Sequence, residues 1–330
     1  MNQGPSPSRL PPSPPLAPGE IYVQLSESVR GCDVFLVQPT CPPTNESLME
    51  LLIMVDACKR ASAKSITCVI PYYGYARADR KTTGREAIAA KLTANLITQS
   101  GADRVLACDL HSGQTIGYFD IPVDHVYGSS VLLDYLASKR IPAGELVVVS
   151  PDVGGVARAR AFAKKLNDAP LAIVDKRRSA HNVSEVMNLI GDVQGKVAVL
   201  VDDMIDTAGT ICNAGRVLRE QGAVAVYACT THAVFSPPAV ERLASGVFDE
   251  VIVTNTIPQK RQPRAGETAA EAAAAAAARF ASAADADHAD VDVHEGRFPQ
   301  LTVLSVANVL GESIWRVYSS ASVQQMGGGS

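Results

Sequence analysis

Aromatic residues account for only 5% of this 330-residue chain, with a single tryptophan, and charged residues for only 19%. Long apolar runs are missing as well. Nothing approaches the roughly 18 residues that span a bilayer, so no transmembrane helix and no membrane partner is expected. The first residues lack both the charged n-region and the apolar h-region of a secretory signal, and the chain is read as soluble, with no intact targeting peptide. Neither charge sign dominates: 34 acidic residues face 30 basic ones, for a net charge of −4. This argues against a basic nucleic-acid surface of the usual kind, so phosphate groups, if bound, are bound locally. Paired cysteines are absent too. The seven cysteines, at 32, 41, 58, 68, 108, 212 and 229, are odd in number and include no C-x-x-C. They read as buried thiols in a reducing compartment, with no disulfide framework or zinc site. What the chain has is 47% hydrophobic residues, enough for the cores of about two domains.

Residues 1–19 hold seven prolines among serines; so many prolines forbid helix and central strand alike, and the segment reads as a disordered tail. A second biased stretch, 259–295, combines the run Ala272–Ala278 with Asp285, Asp287, Asp290 and Asp292. It reads as a surface insertion, partly helical and partly disordered, and residues 319–330 as a flexible tail. Elsewhere short β-rich runs alternate with segments of helical period. The runs are 33–38, 66–70, 104–108, 146–150, 171–174, 197–201, 225–229 and 251–254. The helical segments are 45–62, 86–100, 155–166 and 209–221, the first with Leu48, Leu51, Leu52 and Val55 on one face behind Asn45 as candidate cap. Such alternation predicts an α/β chain of mainly parallel sheets flanked by helices. Chemistry then collects where strands end and helices begin.

Two of those positions stand out. After the apolar run 197–201 come Asp202, Asp203, Met204, Ile205, Asp206, Thr207, Ala208, Gly209 and Thr210. Paired carboxylates accept hydrogen bonds from vicinal sugar hydroxyls, and a small-residue turn at a helix N-terminus offers N–H groups to phosphate. Asp and Thr cap helices routinely, which accounts for one or two of these residues but not for the whole string. After 146–150 come Pro151, Asp152, Val153, Gly154 and Gly155, then Arg158 and Arg160. Glycines there permit close backbone approach to a diphosphate group. Three further stretches carry charge or aromatic groups: 71–81 (PYYGYARADRK), 109–111 (DLH) and 175–178 (DKRR). Taken alone, three adjacent basic residues are ordinarily a solvated charge run, and a lone histidine is ordinarily structural.

The turn at 202–210 resembles the ribose 5-phosphate loop of the type I phosphoribosyltransferase fold. Together with 45–60, 71–81, 109–111 and 175–178, it makes the chain similar to ribose-phosphate diphosphokinases, also called phosphoribosyl pyrophosphate synthetases, with wording nearest the plant and algal ones. The resemblance covers most of 20–258 and again 297–318. It implies two phosphoribosyltransferase-like halves, 20–147 and 148–318, and transfer of the diphosphoryl group of ATP to C1 of ribose 5-phosphate, leaving AMP. By residue, it implies Lys176 and Arg178 as the cations of a mobile catalytic loop and Asp202 and Asp203 on the ribose hydroxyls. Asp206, Thr207, Ala208, Gly209 and Thr210 would surround the 5-phosphate, and Asp152, Gly154 and Gly155 the diphosphate. Glu20, Arg77 and Asp79 would meet ATP, and His111 and Asp152 would hold magnesium (Mg2+). Tyr72, Tyr73 and Tyr75 read first as core or interface packing, with contact to the nucleotide base as the alternative.

The resemblance also implies homo-oligomers built from dimers toward hexamers, or mixed assemblies with homologues, in the plastid or the cytoplasm. Family members usually open with a strand, a helix and a Phe-x-Asp-Gly-Glu turn, of which Gly19 and Glu20 alone correspond. On that ground a catalytically impaired partner subunit is the second reading. A phosphoribosyltransferase is the third.

Overall fold

The computed structural model describes residues 19–177, 186–259 and 298–323. The expectations for the proline tail, for Arg178, for the insertion from residue 260 onward and for the final residues fall outside that set. The chain forms two compact units, Met1–Tyr127 with Ala307–Ser330, and Gly128–Val306.

The first unit holds four parallel strands in the order of the chain: β1 (Asp33–Val37), β2 (Ser65–Ile70), β3 (Arg104–Cys108) and β4 (Val123–Val126). Helix α1 (Thr44–Arg60) buries Leu48, Leu51, Met54, Val55 and Cys58 along one stripe. It starts one residue before the expected cap. Pro43 precedes it without a side-chain cap, and the Asn45 amide oxygen instead accepts the Tyr75 hydroxyl. Helix α2 (Ala89–Ser100) starts later than the periodicity predicts. The reason is Glu86, whose carboxylate gathers the backbone N–H and hydroxyl groups of Thr82 and Thr83 into a turn.

The second unit is a seven-stranded sheet in the order β11-β10-β9-β8-β5-β6-β7. Its strands are β5 (Leu146–Ser150), β6 (Leu171–Arg177), β7 (Val186–Ile190), β8 (Val197–Ile205), β9 (Ala225–Ala233), β10 (Glu250–Thr254) and β11 (Leu301–Leu304). All neighbours are parallel except the β6–β7 pair. Among the described residues, four α-helices belong to this unit: α3 (Ser129–Ser138), α4 (Val156–Lys165), α5 (Gly209–Glu220) and α6 (Ala239–Leu243). Both sheet faces are covered. Val147, Val149, Ala198 and Leu200 join residues of α5 and α6 in one apolar cluster. Leu146, Val148, Val199 and Val201 join α3 and α4 in another. Strands buried on both faces explain the near-continuous apolar runs at 146–149 and 197–201.

The units divide between Tyr127 and Gly128, ahead of the boundary expected after residue 147, and α7 (Ala307–Tyr318) belongs to the first unit. Helix α3 explains the earlier boundary. Directly after it, Lys139 Nζ pairs with Glu250 Oε2 at 2.5 Å, while the Tyr135 and Thr302 hydroxyls both reach Glu250 Oε1 at 2.5 Å. The ammonium group also lies 4.7 Å and 5.3 Å from the ring centres of Tyr135 and Tyr227. These contacts hold α3 to β9, β10 and β11. Among the described residues, no helix is long and apolar enough to cross a membrane, and every cysteine except Cys32 is buried.

Candidate active site

From β5 the second unit runs through α4 to β6 on one side of the sheet order; from β8 it runs through α5 to β9 on the other. Strands β5 and β8 are neighbours, with Val149 opposite Leu200. The loops after them therefore diverge at a point where strand order reverses, the place where open α/β sheets leave a crevice beyond their carboxyl ends. Both stretches singled out in the second unit occupy this place.

Loop 151–155 is braced from within. Asp152 Oδ1 accepts the Gly155 N–H at 2.8 Å, and the buried Ser150 hydroxyl donates to the Asp152 carbonyl at 2.7 Å. A β-carbon on Gly155 would stand 2.9 Å from that hydroxyl oxygen, so glycine is required here by close approach.

Strand β8 continues past its expected end at Val201 to Ile205, because β9 keeps pairing with it: Asp202 opposite Thr230, Met204 opposite His232. The acid couplet thus sits inside a strand, where alternation would send adjacent side chains to opposite faces. Arg158, on the first turn of α4, nevertheless meets both: Nη1 lies 2.9 Å from Asp202 Oδ1 and 3.1 Å from Asp203 Oδ1. Asp202 Oδ1 also accepts the Asp203 N–H at 2.9 Å, and Asp203 is buried. Burial first, then the charge of Asp203 and a hydrogen bond with it, push the Asp202 carboxyl well above the usual carboxylate range; the Arg158 guanidinium opposes the rise.

After β8 the chain turns through Asp206 and Thr207 to Ala208, whose φ of 60° places a non-glycine residue in the left-handed region, and then enters α5 at Gly209. Arg242 of α6 donates to the Thr207 carbonyl at 2.9 Å. A β-carbon on Gly209 would come within 3.2 Å of the same guanidinium. The exposed residues Thr207 and Thr210 flank this turn, whose forward N–H groups have no partner within the helix. Lys176 was expected just beyond a strand ending at Val174. Its backbone instead lies within β6, opposite Met187, because β7 pairs back antiparallel as far as Arg177.

In the first unit, Tyr72 and Tyr73 are buried, with the Tyr73 hydroxyl bonded to the Ala90 carbonyl, so packing is their role; Tyr75 is exposed. Arg77 and Glu20 are exposed and Asp79 is half-buried. The Asp79 carbonyl accepts the Tyr118 hydroxyl, and Lys91 Nζ holds the Tyr118 carbonyl at 2.6 Å. His111 is half-buried on the turn after β3. There the Leu110 N–H donates to His125 Nε2 at 3.0 Å, which gives His125 a part in shaping the turn that the sequence did not reveal. Arg158 and Arg242 were likewise not assigned roles from the sequence. The Arg158 signal was its position three residues after a double glycine, and Arg242 had none.

The comparisons with known proteins decide the family. Residues 15–101 match the family model described as the N-terminal domain of ribose phosphate pyrophosphokinase, and residues 176–268 the model described as phosphoribosyl synthetase-associated domain. Ribose-phosphate pyrophosphokinase 5, chloroplastic, of Arabidopsis thaliana is 70% identical over 306 residues, 93% of this chain and 69% of that protein. The chain belongs to the ribose-phosphate pyrophosphokinase family. Ribose-phosphate pyrophosphokinase 1 of Spinacia oleracea is 69% identical over 94% of this chain and 82% of its own length. The Synechococcus elongatus family member is 67% identical over 94% of this chain and 83% of its own length. A solved phosphoribosylpyrophosphate synthetase from Mycobacterium smegmatis superposes with a TM-score of 0.78 at 43% identity, covering 94% of this chain and 90% of that one. An α/β architecture with parallel sheets flanked by helices, as the sequence predicts, is therefore shared with a synthetase of this family.

Proposed function

We propose that this chain transfers the diphosphoryl group of ATP to the C1 hydroxyl of ribose 5-phosphate, releasing AMP. The observation that carries this reading is the continuous path from the Arg158-held couplet Asp202–Asp203 through the turn 206–210 into α5. A phosphorylated pentose needs carboxylate acceptors at one end and N–H donors at the other. Here one strand and one helix supply both. Attack by the C1 hydroxyl on the β-phosphorus requires no covalent enzyme intermediate, so the protein's tasks are positioning and charge stabilisation.

In this reading Asp202 and Asp203 accept the ribose hydroxyls, while the backbone from Asp206 to Thr210 donates to the 5-phosphate. Asp152, Gly154 and Gly155 form the loop for the diphosphate. Lys176 and Arg178 oppose the negative charge that builds on the transferring group, and Glu20, Arg77 and Asp79 contact ATP.

Magnesium fits the donor chemistry. Among the described residues no three acid, histidine or cysteine side chains gather into a cage, and magnesium bound mainly through substrate phosphate oxygens needs only one or two protein ligands. Asp152 is exposed and engages the Gly155 N–H through Oδ1, which leaves its second carboxylate oxygen as a hard donor; His111 is the other ligand that the resemblance implies. When bound, the ion supplies neutralisation of phosphate charge.

Two broader assignments belong to the same reading. The apolar ridge of Ile88, Leu92 and Leu96 is exposed at a spacing of four residues along and just before α2, which supports assembly with further copies of the chain. Chloroplastic relatives support a plastid location. The deciding experiment incubates purified protein with ATP, ribose 5-phosphate and magnesium. AMP should form in step with ribose 5-phosphate consumption; its absence, with activity appearing only when a homologue is added, would assign the chain the partner-subunit role instead.

A further inference from the structure

The geometry points to Arg158 as the positioning residue of the sugar-hydroxyl subsite: it orients Asp202 and Asp203 toward one ligand face and thereby sets affinity for ribose 5-phosphate. This rests on the ribose-phosphate reading above and adds to it a residue that touches the sugar only through the couplet.

Adjacent residues of a strand present side chains to opposite sides, yet vicinal hydroxyls must be met from one side. Some group has to draw the two carboxylates together. Arg158 Nη1 lies 2.9 Å from one and 3.1 Å from the other. A guanidinium suits the task because it is planar, rigid and always charged, and one of its nitrogens, Nη1, reaches both carboxylates. Its charge also opposes the repulsion between two acids on neighbouring residues, though burial and Asp203 still hold the Asp202 carboxyl above the usual carboxylate range. Location adds to the argument. Arg158 rides on α4, the helix that begins where loop 151–155 ends, so one side chain fixes the couplet relative to the segment read as the diphosphate loop. A purely structural ion pair would require none of this bridging geometry.

The test measures binding of ribose 5-phosphate and, separately, of inorganic phosphate to the full chain by calorimetry, for the unsubstituted protein and for Arg158→Gln. Ribose 5-phosphate affinity should fall about 10- to 100-fold, since hydrogen bonds to charged groups carry about 1.5–3 kcal/mol and each 1.4 kcal/mol is tenfold. Affinity for inorganic phosphate, whose proposed place is the 206–210 turn away from the couplet, should stay unchanged and so report a folded site. Arg158→Lys, which keeps the charge without the rigid planar group, should recover part of the loss. In steady state the loss should appear in KM for ribose 5-phosphate more than in kcat. A double-mutant cycle with Asp202→Asn should give a combined loss smaller than the sum. Ribose 5-phosphate affinity untouched in Arg158→Gln, or strict additivity in the cycle, overturns the inference alone. Failure of the unsubstituted chain to bind ribose 5-phosphate overturns the ribose-phosphate reading together with it.

Discussion

Replacing Gly155 with alanine should destabilise the second unit, and replacing Ser150 with alanine at the same time should remove that penalty. Gly155 has φ −81° and ψ −4°, values any residue adopts, so alanine brings no backbone strain and even reduces unfolded-chain freedom, a gain of about 0.4–1 kcal/mol. Against this stands a contact of 2.9 Å between the new β-carbon and the Ser150 hydroxyl oxygen. That oxygen is buried and donates to the Asp152 carbonyl at 2.7 Å, so it cannot swing aside without giving up a hydrogen bond. Overpacking costs about 1–3 kcal/mol and the hydrogen bond about 0.5–1.5 kcal/mol, giving a net loss of about 1–3 kcal/mol for Gly155→Ala. Ser150→Ala alone should cost only the hydrogen bond, since Asp152 is exposed and water can satisfy its carbonyl. In that background no other protein atom stands closer than 3.5 Å to the added β-carbon, and Gly155→Ala should become neutral or slightly stabilising. Urea unfolding of the four proteins of the cycle measures this. Equal costs for Gly155→Ala with and without Ser150 would refute the claim that this contact dictates glycine.

Three other outcomes are expected. Ala208→Gly should leave stability within about 1 kcal/mol of the unsubstituted protein, because relief of about 1 kcal/mol of strain at φ 60° is set against a lost buried methyl and the greater freedom of glycine when unfolded; chemical denaturation reads the balance, and a loss well above about 2 kcal/mol would count against the strain. Arg242→Ala should weaken ribose 5-phosphate binding by roughly threefold to tenfold through loss of the Thr207 carbonyl bond, with calorimetry as the measure and an unchanged dissociation constant as the contrary result. Glu86 should titrate at about 2 in an NMR pH series, because the Thr83 hydroxyl first, then the Thr83 and Thr82 N–H groups and the Thr82 hydroxyl, bind its ionised form. Its folded value lies below the unfolded one, so its contribution is present above about pH 4 and is lost as pH falls toward 2; a midpoint near 4 would deny the turn seen at Thr82–Glu86.

Periodicity carried much of the architecture. The apolar runs at 146–150 and 197–201 announced strands buried on both faces, and those strands form adjacent, central members of the second sheet. It did not carry β4, at four residues too short to leave a pattern, or β7, which is defined by antiparallel pairing back onto the strand before it. Asn45 looked like a cap because residue type was right; the Tyr75 hydroxyl, thirty residues away, claimed its side chain instead. Glu86 belonged by spacing to a helix, and a local competition for threonine N–H groups kept it out.

By itself the sequence determined that the acids, the small-residue turn and the α5 N-terminus of the proposed ribose-phosphate path follow one another, because they are contiguous along the chain. Tertiary structure alone decided what makes Asp202 and Asp203 a couplet. Arg158 lies forty-four residues away and reaches them only because β5 and β8 pair side by side while their helices leave in opposite senses. Charge interactions of that kind depend on distance in space, and distance along the chain says nothing about them until the sheet has formed.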